Sequence, residues 1–537
     1  MSKLGRFTFM KRTFRVAVEL LALGILVVIL ATGSAAAISS CQELNQSQTY
    51  QLENNIVKDT TKQCLEITAD DLVLEGNGKE VNGVNRTADS AGIFVSDTNN
   101  VTVKNLGNVT GWDFGIVVSE SNDVRLTNNT ANNNGETTTS SDGAGIASGE
   151  SEDVNLTGNT ANNNNPNGIL LAVLSSVLSD NTANSNEASG IVLGNSVRNE
   201  LTGNKANGNG AFGVWLRQNS NFNNLTDNVA RDNIGGEDSA GIYLGGAQSV
   251  NNNTLVNNTA TGDQRYGIYL SEASDNELRE NKANENNEAG IYLTQSSIGN
   301  NLTDNMANRN GLRFKNGSGI FGIWLDDGSN RNNLTGNEAF DNGPRNIEVV
   351  GGEPLYEDSV EPSQVEGPQS AGIYLDGAAG SVKKNTLIDN ELRDTDTVDS
   401  SIVEGGNQAY GIWLSQAADN ELIDNTANEN YLYGIWLSQG SGLNELIDNV
   451  ALDNGKEFTA VVSTSEEDIV EDSAGIYLGV TTGSLPPSEN LLVNNTVRGS
   501  EYGMWIRNSF QNDVSETLAA MTEFDTVGIR VIDDFSA

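Results

Sequence analysis

The feature that most constrains this chain is a short motif, Gly-(aliphatic)-x-(apolar), that returns at Gly92, Gly115, Gly145, Gly168, Gly190 and Gly213. It continues through Gly241, Gly267, Gly290, Gly322, Gly372, Gly411, Gly434, Gly475 and Gly503, with a degenerate copy at Gly528. The shortest spacings are 22 and 23 residues, and the longer ones read as the same unit plus an insertion. Between copies lies Leu-x-x-Asn-x-Ala, as in Leu126/Asn129/Ala131, Leu278/Asn281/Ala283 and Leu446/Asn449/Ala451. Each unit therefore holds three short pieces of alternating apolar residues separated by Asn, Gly and Ser, which is strand patterning with turn punctuation.

A coil of that size cannot bury a core alone. Stacked on a like coil it can, and every strand then pairs in parallel with its counterpart about 4.8 Å away. The expected fold is all-β: a single-stranded right-handed parallel β-helix, a solenoid of 22–23-residue coils. The asparagine of Leu-x-x-Asn recurs at 129, 159, 181, 204, 228, 258, 281, 305, 337, 390, 425, 449 and 495. That column predicts a ladder of side-chain amides holding one turn from coil to coil.

These repeats, opened by "DLVLEGNGKEVNG" at 71–83, resemble the NosD-like family of exported right-handed β-helix proteins over about residues 41–510. The resemblance implies the fold and export. The family is sometimes associated with periplasmic copper handling, but this chain has no histidine and no evident methionine cluster to supply copper ligands. The architecture itself hosts lyases, hydrolases, epimerases, adhesins and structural proteins, so function must be argued from a site.

The candidate site comes from the third motif position. Positions two and four are aliphatic and face the core, so position three faces out. After Phe94, Val117, Ala147, Leu170 and Val192 it reads Trp215, Tyr243, Tyr269, Tyr292, Trp324, Tyr374, Trp413, Trp436, Tyr477 and Trp505. Ten successive aromatics would make an exposed strip roughly 40–45 Å long at one rung each. Such a strip suits the flat faces of sugar rings and predicts non-catalytic binding of an extracellular polysaccharide or surface glycan. A column of aromatics that only glues neighbouring strands is the competing reading, with a structural or adhesive surface role. Insertions at 135–143, 311–319, 343–370, 394–408 and 455–473 enter just before the motif glycine and would line one edge of the strip.

Position five carries Arg217, Asp326, Asp376 and Arg507. If the coils beginning at Gly322 and Gly372 are adjacent, Asp326 and Asp376 stand about 5 Å apart, the minimum set for a retaining glycoside hydrolase. Polysaccharide hydrolysis or lysis is therefore the catalytic alternative. "DTDTVD" at 394–399 offers oxygen donors for Ca²⁺ without standard loop spacing; otherwise no cofactor and no metal is expected.

Composition narrows the partners. The 537 residues include 72 acidic and 30 basic side chains, a net charge of −42, with no histidine. Imidazole bases and His metal sites are excluded. So much negative charge repels nucleic acid and suits a surface solvated at high salt.

The N-terminus places Lys11, Arg12 and Arg15 before an apolar run from Val16 to Ala31 and then Ala35-Ala36-Ala37. This reads as an export signal over 1–37. No later segment is apolar enough to span a bilayer. The remaining bounds expected are an N-terminal cap at 38–70, the β-helix at 71–515 and a C-terminal cap at 516–537. Cys41 and Cys64, the only cysteines, suit a disulfide in an exported chain, although "ISSC" at 38–41 also fits a lipid-attachment site. Thirteen Asn-x-Ser/Thr sequons, among them Asn85, Asn108, Asn224, Asn301, Asn333 and Asn494, fit an exported glycoprotein.

Overall fold

Every strand pairing among the described residues is parallel, each strand lying on its counterpart one repeat away. The structure, a computed structural model, describes residues 35–58, 62–84, 88–135, 143–236, 238–246, 248, 250–311, 319–343, 370–394, 408–455, 473–480, 485–515, 517–519 and 527–532. The chain is a right-handed parallel β-helix with three faces. The Gly-Ile-x-Leu strands form the first face, as in Tyr410–Ser415 and Tyr433–Ser438. Strands around the motif leucine form the second, as in Glu421–Ile423 and Glu445–Ile447. Shorter strands such as Thr426–Asn428 and Val450–Leu452 form the third.

One coil shows why the motif has its residues. Ile412, Leu414, Leu422 and Ala427 all point inward and are fully buried, each larger aliphatic contributing about 1.5–3 kcal/mol on burial. Glycine and alanine meet across the narrow interior: a Cβ on Gly411 would lie 2.7 Å from the Ala427 Cβ and 2.6 Å from the Gly434 carbonyl oxygen. No other residue fits there without moving backbone.

Asparagine holds the corners, and it does so in three ladders. The expected one runs through Asn129, Asn159, Asn181 and onward to Asn449 and Asn495. A second runs from Asn199 and Asn223 to Asn490 and Asn512. A third runs from Asn134 to Asn454, with Gln264 and Gln408 as two of its steps. The signal was present as a five-residue spacing, 276/281/286 or 420/425/430. Asn281 illustrates the chemistry. Its Oδ1 accepts from the Asn258 backbone N–H at 2.9 Å and from Asn258 Nδ2 at 3.0 Å. Its Nδ2 donates to the Leu255 carbonyl at 2.9 Å and to Asn305 Oδ1 at 3.0 Å. All four side-chain hydrogen-bonding positions are used inside a site closed to water.

Pairing extends past the expected bounds. Ala36–Ile38 pairs with Tyr50–Leu52, and Val527–Ile532 pairs with Tyr502–Arg507. Residues 1–34, which hold most of the expected export signal, lie outside the described residues, as do most of the insertions. Cys41 and Cys64 form a disulfide across neighbouring N-terminal rungs.

Replacing Asn281 with Ala would strand two buried donors of Asn258, at a cost of roughly 2–4 kcal/mol. Urea denaturation should show a clearly lower midpoint for Asn281→Ala and almost none for the exposed Asn224→Ala. Equal midpoints would mean that the ladders are dispensable.

Candidate binding face

The ten aromatics do form one column on the outer side of the first face, each in register with the next from Trp215↔Tyr243 to Tyr477↔Trp505. Their exposure differs from expectation. Trp413 is 5 % exposed and Tyr374 7 %; Tyr243, Tyr269, Tyr292, Tyr477 and Trp505 are also buried, while Trp215, Trp324 and Trp436 are partly so. The reason is the register itself. Rings on adjacent rungs stack flat, as in Trp413–Trp436 at 4.9 Å and 6° or Tyr243–Tyr269 at 4.7 Å and 12°. Ring faces inside the column are therefore occupied by other rings.

A second column, missed in the sequence, covers the first. The residue before the motif glycine is Phe212, Tyr266, Phe321, Tyr410, Tyr433 or Tyr502, alternating in part with Ala240, Ala289, Ala371 and Ala474. These rings tilt across their neighbours, Tyr410 lying 5.3 Å from Trp413 and 4.8 Å from Trp436. At Trp215, Trp413 and Trp436 the indole N–H also reaches the next rung. Trp215 Nε1 donates to the Gly245 carbonyl and Trp413 Nε1 to Ser438 Oγ, both at 2.9 Å. The stack is a second apolar core outside the coil, each aromatic pair adding about 0.5–1.5 kcal/mol.

Where the column loses its bulk, the same face opens. Over Phe94, Val117, Ala147 and Leu170 the outward residues no longer stack ring on ring, and a groove of about 500 Å³ lies above them. Phe114, Ser119, Ser148, Asn195 and Gln218 contribute to its walls. Lys62 lies at the end nearest the N-terminus and Arg217 at the end where the aromatic column begins. The only acid among its lining residues is Asp89. The sequence pattern does not show this groove, because mixed residue types side by side on neighbouring rungs form no repeating motif.

The carboxylates are adjacent as expected: Leu325 pairs with Leu375, placing Asp326 beside Asp376. Asp326 is not outward in the useful sense, however. It is only 8 % exposed, its Oδ2 accepts the Tyr292 hydroxyl at 2.9 Å, and its Oδ1 has no partner among the described residues. Burial pushes its pKa up to about 6, helped by the negative charges of Asp376 and Asp327. Asp376 accepts the Ala378 N–H at 2.9 Å, and burial raises its pKa too. Asp327 sits in the turn that follows, at a φ of 41°. Asp326 is thus held against the Tyr292 hydroxyl with little surface exposed, while Asp376 beside it is only partly buried.

Of the sequons, Asn224 and Asn494 are exposed, and Asn108 is partly buried, its Oδ1 accepting from the Asn132 N–H at 3.1 Å. Asn301 and Asn333 stand on adjacent rungs, Asn333 Nδ2 donating to Asn301 Oδ1 at 3.0 Å. Asn85 and most of "DTDTVD" lie outside the described residues. Asp394 of that run is buried, and its Oδ2 accepts from the Gln408 N–H at 3.2 Å.

Fold and face together define a parallel β-helix protein with one outer face half packed by aromatics and half open as a groove. The chain belongs to the family described as periplasmic copper-binding protein (NosD), whose model matches residues 52–234, 221–358, 311–471 and 355–534. No curated protein matches it in sequence. Among solved structures it is similar to the periplasmic alginate epimerase AlgG, with 14% identity over 78% of this chain and 76% of that one, at a TM-score of 0.40. The Azotobacter vinelandii mannuronan C-5 epimerase AlgE6 A-module shows 12% identity, 70% and 91% coverage and a TM-score of 0.38. For the DFA-IIIase from Arthrobacter chlorophenolicus A6 the values are 13%, 70%, 81% and 0.32.

Copper does not fit the residues present. Soft sulfur and imidazole ligands are needed to hold it, yet histidine is absent and both cysteines are in the disulfide. The methionines among the described residues are Met306 and the fully buried Met504, on coils far apart in the stack. No group of three or more His, Cys, Asp or Glu suited to a metal occurs among the described residues.

Asp326 gives a pH test with a definite sign. Its folded pKa lies above the ordinary carboxylate value, so folding favours the protonated form and wild type loses stability as pH rises from about 4 through about 6. Asp326→Asn cannot ionise. The difference in melting temperature, variant minus wild type, should grow across that window and level off above it. A difference independent of pH would show that Asp326 titrates normally.

Proposed function

We propose that this is an exported protein that binds extracellular polysaccharide, without cleaving it, in the groove over Val117, Ala147 and Leu170. The observation that supports this is the continuity of one face. An open groove of about 500 Å³ with an apolar floor and polar walls runs on from a rigid, fully stacked aromatic column. A sugar chain presents apolar ring faces and a rim of hydroxyls, which suits a floor of aliphatic and aromatic groups edged by Ser, Asn and Gln. Phe94 and Phe114 would then be the aromatic contacts, and the column from Trp215 to Trp505 would keep the face straight.

The alternative of hydrolysis is disfavoured by the burial of Asp326, and metal-assisted chemistry lacks a ligand set among the described residues. Export, a surface solvated at high salt and glycan attachment at the exposed Asn224 and Asn494 belong to the same reading, as does the match to a family described as periplasmic. No helix among the described residues is long and apolar enough to cross a membrane.

Leu170→Trp tests the groove by filling it with the residue type that fills the other half of the face. Ala147 and Val192 flank it in register, so the indole should be tolerated. Retention on a panel of immobilised polysaccharides should fall at least tenfold for Leu170→Trp while its melting temperature stays near wild type. Wild-type retention on none of them would end the binding reading. New reducing ends released by wild type, and lost in Asp326→Asn, would make the protein an enzyme instead.

A further inference from the structure

We propose that the groove selects acidic polysaccharides, with the Arg217 guanidinium as the group that holds a sugar carboxylate; this rests on the glycan-binding reading and specifies its ligand. In a chain with 72 acids and 30 bases, several arginines are held by a carboxylate. Arg265 pairs with Glu288, Arg125 with Asp123 and Arg279 with Glu280. Arg217 makes no ion pair among the described residues, although its Nε is shielded from water and lacks a hydrogen-bond partner. The side chain as a whole is only partly buried and lines the groove, so an anionic ligand can meet its Nη groups without displacing a carboxylate.

The surroundings are built to hold this side chain flat. In register, glycine lies on both sides of Arg217, Gly194 on one rung and Gly245 on the next. A Cβ placed on Gly194 would already sit 3.4 Å from Arg217 Nε. The guanidinium carbon lies 4.8 Å from the centre of the Trp215 ring. Trp215 begins the column: Tyr243 stacks on it at 5.9 Å and 15°, and the rung on its groove side carries Val192 in place of a ring. Guanidinium stacking on an indole leaves the N–H edge free to meet a carboxylate with two parallel hydrogen bonds.

Lys62 supplies a second cation at the far end of the groove. Six rungs separate the two, roughly 29 Å along the axis. They cannot share one carboxylate. They would engage two acidic residues of one chain lying along the groove, which calls for a polymer in preference to a single sugar. Asp89 near the Lys62 end leaves the lining residues with one net positive charge, on a protein whose total is −42.

The test uses the full chain and three probes: polygalacturonate, the same polymer fully methyl-esterified, and dextran sulfate. Retention is measured in about 1 M salt, where the Debye length of about 3 Å removes long-range repulsion but leaves contact pairs. Wild type should retain polygalacturonate at least tenfold better than its ester, and better than dextran sulfate. Arg217→Gln should lose roughly tenfold or more of that preference, and Arg217→Lys should not restore it, because lysine lacks the planar fork. The exposed Lys62→Gln should cost a smaller part without touching the fold, and Arg217→Gln must melt near wild type to be read.

Equal retention of acid and ester, with both lost in Leu170→Trp, would overturn the carboxylate proposal while sparing the glycan reading. Equal or better retention of dextran sulfate would overturn the choice of carboxylate. Retention of none of the three probes by wild type would overturn the acidic-polysaccharide proposal, and the glycan reading would then stand or fall on the wider panel.

Discussion

Parallel in-register stacking is the constraint from which the rest follows. Each residue has its own positional equivalent about 4.8 Å above and below, so a column survives only if its residue type tolerates itself as a neighbour. Asparagine does so best, because one amide carries both the donor and the acceptor its neighbour needs. That is why asparagine holds three corners of the coil, and why glutamine at 264 and 408 can stand in without breaking the ladder. Carboxylates repel their own kind: exposed strand positions still stack them, as Glu421 on Glu445, but several turn columns break them up. Asn257 donates to Asp227 at 2.6 Å, and Gly203 and Gly336 follow Asp180 and Asp304 on adjacent rungs. The buried Glu288 is instead neutralised by Arg265 one rung away.

The same rule turns the outer aromatics into structure. Rings repeated at rung spacing must stack on one another, and a second set at the residue before the glycine closes over them. The result is an apolar layer outside the coil, rigid along ten rungs, with its ring faces consumed internally. A sugar platform needs free faces. The first face therefore divides its labour: packed where the aromatics run, open where Val117, Ala147 and Leu170 replace them. Arg217 and Trp215 stand at the boundary between the two halves.

Family membership and chemistry point in different directions for copper. The family description carries the metal; the side chains of this chain do not, since imidazole is absent and the thiols are joined to each other. A solenoid keeps its fold through ladders and aliphatic columns that involve no ligand, so its outer face can change chemistry without cost to the coil.

By itself the sequence determined the coil: its length, its parallel stacking, the inward Ile, Leu and Ala, and the Leu-x-x-Asn ladder. Those features repeat, and repetition in sequence becomes contact in space whenever identical units stack. It also determined the outward column and the adjacency of Asp326 and Asp376, both set by register alone. Only the tertiary structure decided what that outward side is worth. Burial of Trp413 and Asp326 depends on Tyr410 and Tyr292, residues that belong to other motif positions or other rungs. The groove depends on which unlike side chains lie side by side across coils, and an unpaired guanidinium depends on where the carboxylates of other columns fall. Such properties come from the distance between different columns, and a one-dimensional pattern records only the spacing within each.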